Sequence, residues 1–212
     1  MKILWMALLS ITFATQAQAQ AAAPTAPDVV IQKATGELQD LLNKNHEKYK
    51  ADTALFYKIV DDIVVPHFDT RYIAQLVLAR NWKNASPDQR KRFEATFKNM
   101  LIRSYANALL EYHDSVKVEW KPLRLSPDNS DVTLNSTLLR PGKQPIAVGF
   151  AMHLTDSKWT IYDIVVENIS LVSNFRSQIS SEIKKSNLDD VMTRMESGAY
   201  NSKPKTASKS ES

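Results

Sequence analysis

Groups able to do chemistry are sparse in this sequence and poorly spaced for it. The four histidines are His46, His67, His113 and His153. None stands in an H-x-x-H or H-E-x-x-H pattern and there is no cysteine, so the local ligand spacing of a zinc site is missing. His67 with Asp69, and His113 beside Asp114, read as polar residues at helix boundaries. Carboxylate pairs occur at Asp61-Asp62 and Asp189-Asp190. The second pair opens a helical stretch, where negative charge meets the positive end of the dipole. Asp163 and Glu167 lie in a strand-like stretch and fall on one face. They are the best acid–base pair available, and a solvated charged face is the simpler reading. Gly36, Gly142, Gly149 and Gly198 are too scattered to cradle a phosphate, and no G-x-S-x-G elbow occurs. No catalytic residue and no metal ligand is assigned, and the chain is not read as an enzyme.

The elements that could position a site follow an export signal. Lys2 supplies a positive start, Ile3 to Phe13 is apolar, and Ala17-Gln18-Ala19 fits the small-x-small rule for a peptidase. Cleavage is expected near Ala19, making residues 1–19 a signal peptide. The apolar run is shorter than the ~20 residues of a membrane span. No later segment reads as a span, and no cysteine sits at the junction for lipid attachment. The exported chain is expected to be soluble and free of disulfides, with about 190 residues to build a core. Residues 20–27 read as an Ala/Pro/Gln linker, 28–198 as a single domain and 199–212 as a disordered Lys/Ser tail. With Lys2 gone, the 27 basic residues become 26 against 23 acidic ones, a net of +3. No basic run with interleaved aromatics occurs, so nucleic acid is not an expected partner.

From Asp28 the period is helical, with Val30, Ala34, Leu38, Leu41 and Leu42 on one face. Thr53 is the expected cap of a second helix ending near Val64 before Pro66, and Asp69 of a third. Ser86-Pro87-Asp88-Gln89 has the residues of a capping box, with proline at the first helical position. The helix it opens should reach about Tyr112 and carries a stripe including Phe97, Leu101 and Tyr105. After His113 the period becomes two. Four runs alternate: Val116–Lys121, Val132–Leu138, Ile146–Leu154 and Trp159–Glu167. The turn-like breaks are Ser126–Asn129, Pro141-Gly142 and Thr155–Ser157, short enough to demand antiparallel pairing. Ser170–Lys185 returns to helix, and Asn187 can cap a last one, Leu188–Glu196. The fold class is α+β: N-terminal helices, a four-stranded antiparallel curved meander, then C-terminal helices. Its apolar strand face carries Val132, Leu134, Val148, Phe150, Met152, Ile164 and Val166, and the Phe97, Leu101, Tyr105 stripe is expected opposite.

Three stretches together resemble one family. Trp159-Thr-Ile-Tyr-Asp-Ile-Val-Val-Glu-Asn-Ile-Ser-Leu-Val-Ser-Asn-Phe-Arg-Ser-Gln178 is similar to the signature of the MlaC family, also called the toluene-tolerance family. Arg80-Asn-Trp82 followed by Ser86-Pro-Asp-Gln-Arg-Lys-Arg-Phe93 resembles that family's W…TPEQR..F segment, and Arg140-Pro-Gly-Lys-Gln-Pro-Ile146 its R.GG.PI turn. The likeness covers roughly Val29 to Glu196 and departs at Asn168, where glycine is usual. It implies a periplasmic phospholipid-binding carrier; separately, a monomer without a cofactor is expected. Such a carrier would exchange lipid with an outer-membrane lipoprotein–porin complex and an inner-membrane ABC transporter complex, maintaining outer-membrane lipid asymmetry. The strand face and helix stripe above, with Ile169, would then enclose an apolar pocket for acyl chains. No phosphate-binding cluster is evident, so the headgroup is expected to stay in water. Arg71, Arg80, Arg90, Lys91 and Arg92 are candidate docking charges. The alternatives are a periplasmic adaptor subunit whose core is filled, and a hydrolase using Asp163.

Overall fold

Local signals in the chain set most element boundaries. The computed structural model describes residues 24–123 and 130–200. The export signal, the first half of the 20–27 linker, the Ser126–Asn129 turn and the chain after Tyr200 lie outside the described residues. Pro27 opens α1 (Pro27–Ala51), which is kinked at Asn45. Its successor α2 (Thr53–Ile63) is capped by Asp52, whose carboxylate accepts from the Leu55 N–H at 3.0 Å. Thr53, the expected cap, is the first residue inside the helix instead. A 3-10 turn at Val65–His67 leads to α3 (Thr70–Leu78), capped by Asp69 as its sequence implies. After the five-residue α4 (Arg80–Asn84), the capping box forms in full: Ser86 accepts from the Gln89 N–H at 3.1 Å, and Gln89 accepts from the Ser86 N–H at 3.0 Å. It launches α5 (Pro87–Tyr112), 26 residues long.

The sheet has one strand more than expected. Its order is sequential and antiparallel: β1 (Lys117–Trp120), β2 (Asp131–Leu139), β3 (Ile146–Thr155), β4 (Lys158–Val166) and β5 (Ile169–Ser170). Glu167 and Asn168 both lie at positive φ, 48° and 64°, the geometry of a tight turn twisted like its strands. The chain therefore folds straight back, and Ile169–Ser170 pair with Val166–Val165. Asparagine accepts this conformation more readily than most residues, so its presence where glycine is usual leaves the turn intact. Two helices close the chain: α6 (Leu171–Lys185) and α7 (Leu188–Glu196).

Three apolar clusters result. The first packs α3, the N-terminal half of α5, α6 and α7 around Phe93, Phe97, Phe175, Ile179 and Met192. The second joins α1 and α2 to the C-terminal half of α5 through Leu42, Phe56, Val60, Ile102 and Leu110. The third lies on the sheet. Helix α5 is the spine shared by the first two, its buried face changing partners along its length. Packing continues past the boundary read at residue 198. Tyr200 lies against the helical cluster and its N–H donates to the Arg194 carbonyl at 3.0 Å; burial pushes its hydroxyl pKa up to about 12.

Candidate functional site

Strand register defines one apolar sheet face. Val132, Leu134, Ser136 and Leu138 stand opposite Met152, Phe150, Val148 and Ile146. Met152, Phe150 and Val148 in turn oppose Ile161, Ile164 and Val166, and Val166 opposes Ile169. Directly opposed residues share a face. A bulge between Ala151 and Met152 leaves Tyr162 without a ladder partner, so Ile161 and Ile164 share that face although three residues apart. Strict alternation assigns Ile164 and Val166 to it and misses Ile161 and Trp159.

Coverage divides this face into two halves. At the β3–β4 turn it is filled. Ile31 of α1 forms one buried cluster with Val132, Leu134, Met152, Trp159 and Ile161, and Leu134 and Met152 are wholly buried. At the β2–β3 turn, Val148 is buried, while Val118, Leu138, Ile146, Phe150, Ile164, Val166 and Ile169 all keep partial exposure. The ring of Trp120 flanks Phe150 at 5.7 Å. The C-terminal end of α5 stands beside this second half. Lys143 of the β2–β3 turn lies over the Tyr112 ring, 5.9 Å from its centroid. On the other side, Gln39 of α1 donates to the His113 carbonyl at 2.7 Å, and the His46 and His113 rings stack at 4.2 Å. Leu101, Tyr105, Leu109 and Tyr112 follow helical spacing along α5. Leu101 and Tyr105 are partly buried, whereas Leu109 and Tyr112 are 41% and 44% exposed, so the stripe emerges into solvent at the β2–β3 turn.

The residues expected at the site therefore separate into groups. Val148, Phe150, Ile164, Val166 and Ile169 gather in the incompletely covered half. Val132, Leu134 and Met152 belong to the filled half. Phe97 does not stand over the sheet. It stacks on Phe93 at 5.5 Å and meets Phe175 edge-on at 5.2 Å in the helical cluster, against which Leu101 also packs. Tyr105 has a buried hydroxyl without a hydrogen-bond partner among the described residues, and desolvation raises its pKa. A separate cleft of about 260 Å³, lined by Tyr57, Lys58, Asp61, Asn99, Ile102 and Arg103, lies between α2 and α5. Its polar lining and small volume, below the ~300–1,000 Å³ of ordinary ligand pockets, do not suit acyl chains.

Asp163, Glu167 and His153 have structural partners, whereas the buried Nδ1 of His67 has none among the described residues. Asp163 accepts from the Val172 N–H at 3.0 Å and from the Ser170 hydroxyl, holding the start of α6. Glu167 accepts from the Ala147 N–H across the sheet. The best acid–base pair in the sequence thus fixes backbone. His153 pairs with Asp69 at 3.1 Å and stacks on Tyr72 at 5.0 Å. Among the described residues, no group of histidine and carboxylate side chains could hold a metal ion. Two docking candidates are engaged internally. Arg90 donates to the Trp82 carbonyl at 2.9 Å and covers the Trp82 ring; Arg92 bridges Asp189, Thr193 and Glu196. Arg71, Arg80 and Lys91 are exposed.

An open sheet with an apolar face, half filled by a helix and half only partly covered, suits an apolar ligand laid against the strands. The chain belongs to the MlaC family, whose profile matches residues 32–197. It is 26% identical over 182 residues to the intermembrane phospholipid transport system binding protein MlaC of Haemophilus influenzae, covering 84% of this chain and 85% of that one. It is also 26% identical over 174 residues to the toluene tolerance protein ttg2D of Pseudomonas putida, covering 77% and 75%. Among solved structures it resembles a phospholipid-binding protein from Ralstonia solanacearum, determined in complex with a phospholipid. The TM-score is 0.74 at 24% identity, over 82% of this chain and 96% of that one, a likeness of fold.

Proposed function

We propose that this protein is a periplasmic phospholipid-binding carrier that moves lipid between the outer and inner membranes, and is not an enzyme. Acyl chains lie on the sheet half formed by Val148, Phe150, Ile164, Val166 and Ile169, below the Tyr105 stripe of α5. The observation that carries this reading is the set of apolar side chains, on one sheet face of an MlaC-family chain, that its own helices leave partly exposed. The engagement of Asp163 and Glu167 with backbone supports a binding role over a hydrolytic one. No cofactor is required. The proposed exchange partners are an outer-membrane lipoprotein–porin complex and an inner-membrane ABC transporter complex.

The energetics explain why such a carrier needs no nucleotide of its own. Burying two acyl chains, about 30 CH₂ groups at ~0.8 kcal/mol each, is worth ~24 kcal/mol relative to water. Leaving a bilayer costs about the same, so exchange between membrane and protein is nearly neutral. Direction must then come from the partners. Native mass spectrometry of the purified mature protein tests the proposal. A co-purifying phospholipid mass, lost on denaturation, is expected. A clean protein mass after gentle extraction from a lipid-rich host refutes carriage and favours an adaptor with a filled core.

A further inference from the structure

We infer that, in a chain that carries phospholipid as proposed above, Arg140 and Lys143 of the β2–β3 turn form with Tyr112 a phosphate seat at the lip of the apolar half, and that this seat favours anionic over zwitterionic phospholipid. The apolar face runs out where Leu138 pairs with Ile146, the last pair before this turn. The α5 stripe emerges at the same place, and Lys143 over the Tyr112 ring closes the corner between them. An amphiphile with its tails on Phe150, Ile164 and Val166 would therefore present its polar end to Arg140 and Lys143.

Arg140 has the features of a group waiting for an acceptor. One of its terminal nitrogens donates to the Gln144 carbonyl at 2.7 Å, which fixes the guanidinium on its own turn. Its Nε is buried and has no hydrogen-bond partner among the described residues. Buried polar groups are nearly always partnered, and an orphan donor is costly. A phosphate diester supplies two oxygens in the geometry that a guanidinium fork matches. Neither Arg140 nor Lys143 is in a salt bridge among the described residues. At Tyr112 itself the Glu111 carboxylate is met by two cations, Arg140 and Lys143. That balance attracts phosphate and repels the ammonium of phosphatidylethanolamine, leaving phosphatidylglycerol as the better fit. The pattern is invisible in sequence because the turn and Tyr112 are distant in the chain.

The test equilibrates the mature protein with vesicles of phosphatidylglycerol and phosphatidylethanolamine of identical acyl chains, then reads the bound lipids by mass spectrometry. Wild type should enrich phosphatidylglycerol about two- to five-fold over the vesicle ratio, the range expected of partly exposed charge pairs. Arg140→Gln with Lys143→Gln should bring the bound ratio back to that of the vesicle. Lys143→Glu, at an exposed residue whose backbone N–H donates to the Arg140 carbonyl at 3.1 Å but whose side chain makes no hydrogen bond among the described residues, should lower the ratio even if Arg140→Gln unfolds the turn. Bound lipid with no enrichment, or enrichment that survives these substitutions, overturns the seat and leaves carriage standing. Absence of lipid from every protein overturns carriage and the seat with it. Inorganic phosphate is the second arm. A melting shift with phosphate that the substitutions abolish, alongside an unselective lipid load, assigns an ion site and overturns the headgroup role.

Discussion

Ile164→Glu should separate the receptive half of the sheet from the filled half. Ile164 faces the proposed ligand, opposite Phe150, and keeps partial exposure in the unloaded protein. A glutamate there can stay hydrated, so folding should be little affected. Lipid loading removes that water. With an ordinary carboxyl pKa of about 4.3, holding the group neutral at pH 7 costs about 3.7 kcal/mol, a ~500-fold loss of lipid affinity. The sign of the pH dependence follows. The bound state prefers the protonated acid, so affinity should recover about ten-fold per unit as pH falls from 7 towards 4.3. Retention of a labelled phospholipid at equilibrium with vesicles, read at pH 7 and pH 5, measures both effects. Ile164→Gln, neutral and of similar size, should lose far less affinity and show no such recovery. Thr133→Glu puts the same charge at an exposed site on the opposite face, since Thr133 pairs with Ala151, and should bind like wild type. A folded Ile164→Glu protein with wild-type lipid content at pH 7 would refute the assignment of the face. Equal losses for Glu and Gln, without recovery at pH 5, would refute the electrostatic account.

Four further outcomes are expected. Leu134 is wholly buried in the filled half, so Leu134→Ala should lower unfolding free energy by about 2–5 kcal/mol in denaturant titration, well beyond the effect of Phe150→Ala. Ala79 sits between α3 and α4 at φ 48° and ψ −117°, a conformation natural to glycine; Ala79→Gly should stabilise by roughly 1 kcal/mol, relief of strain outweighing added chain entropy. Ser86→Ala removes both the side-chain acceptor at the start of α5 and its box with Gln89, and should cost about 1 kcal/mol in the same titration. Glu196 accepts from Arg92, which holds its carboxyl below the ordinary range. A depressed folded-state pKa contributes stability above the ordinary carboxylate value and loses it as pH falls through the depressed one, so Glu196→Gln should flatten the acid limb of stability against pH while leaving its neutral-side slope alone.

Local features were legible wherever one residue type does one job. The Ser86 box, the Asp69 cap and the Asn187 cap appear where their side chains require. Alternation likewise found the strands and the α+β order. The misreadings came from events without a local signature. A cap shifted from Thr53 to Asp52 because either side chain can accept from the first turn. The fifth strand needed Glu167 and Asn168 both at positive φ, which the Glu–Asn pair does not announce. The bulge at Tyr162 changed the phase of β4 and hid Ile161. Phe97 shows the limit of periodicity most clearly. Its stripe is real, yet α5 serves two clusters in succession, and a helix pattern reports that a face is buried without reporting by what. The site's polar rim was hidden for the same reason, since Arg140 and Tyr112 meet only through the folding of the sheet against α5.

The division of the sheet bears on how lipid could be chosen at all. Burial of CH₂ groups scales with area and carries no information about identity, so tails of equal length exchange between bilayer and protein at nearly equal free energy. A carrier using only Phe150, Ile164 and Val166 would take up whatever lipid the membrane offers. Selectivity then has to arise where the apolar face ends, at groups whose interactions differ between headgroups by only a few-fold. Such small differences suffice because the large hydrophobic terms cancel in exchange. A stronger polar site would slow release, since every added kilocalorie per mole that holds the headgroup must be recovered when the lipid leaves. Partly exposed cations at the β2–β3 turn, with one Arg140 donor unpartnered among the described residues, match that requirement better than a fully enclosed phosphate pocket would. The filled half has the complementary task. Ile31 of α1 shares one buried cluster with Val132, Leu134 and Met152, packing that does not depend on a ligand, so in the proposed carrier a change of occupant on the other half would leave this part of the sheet in place.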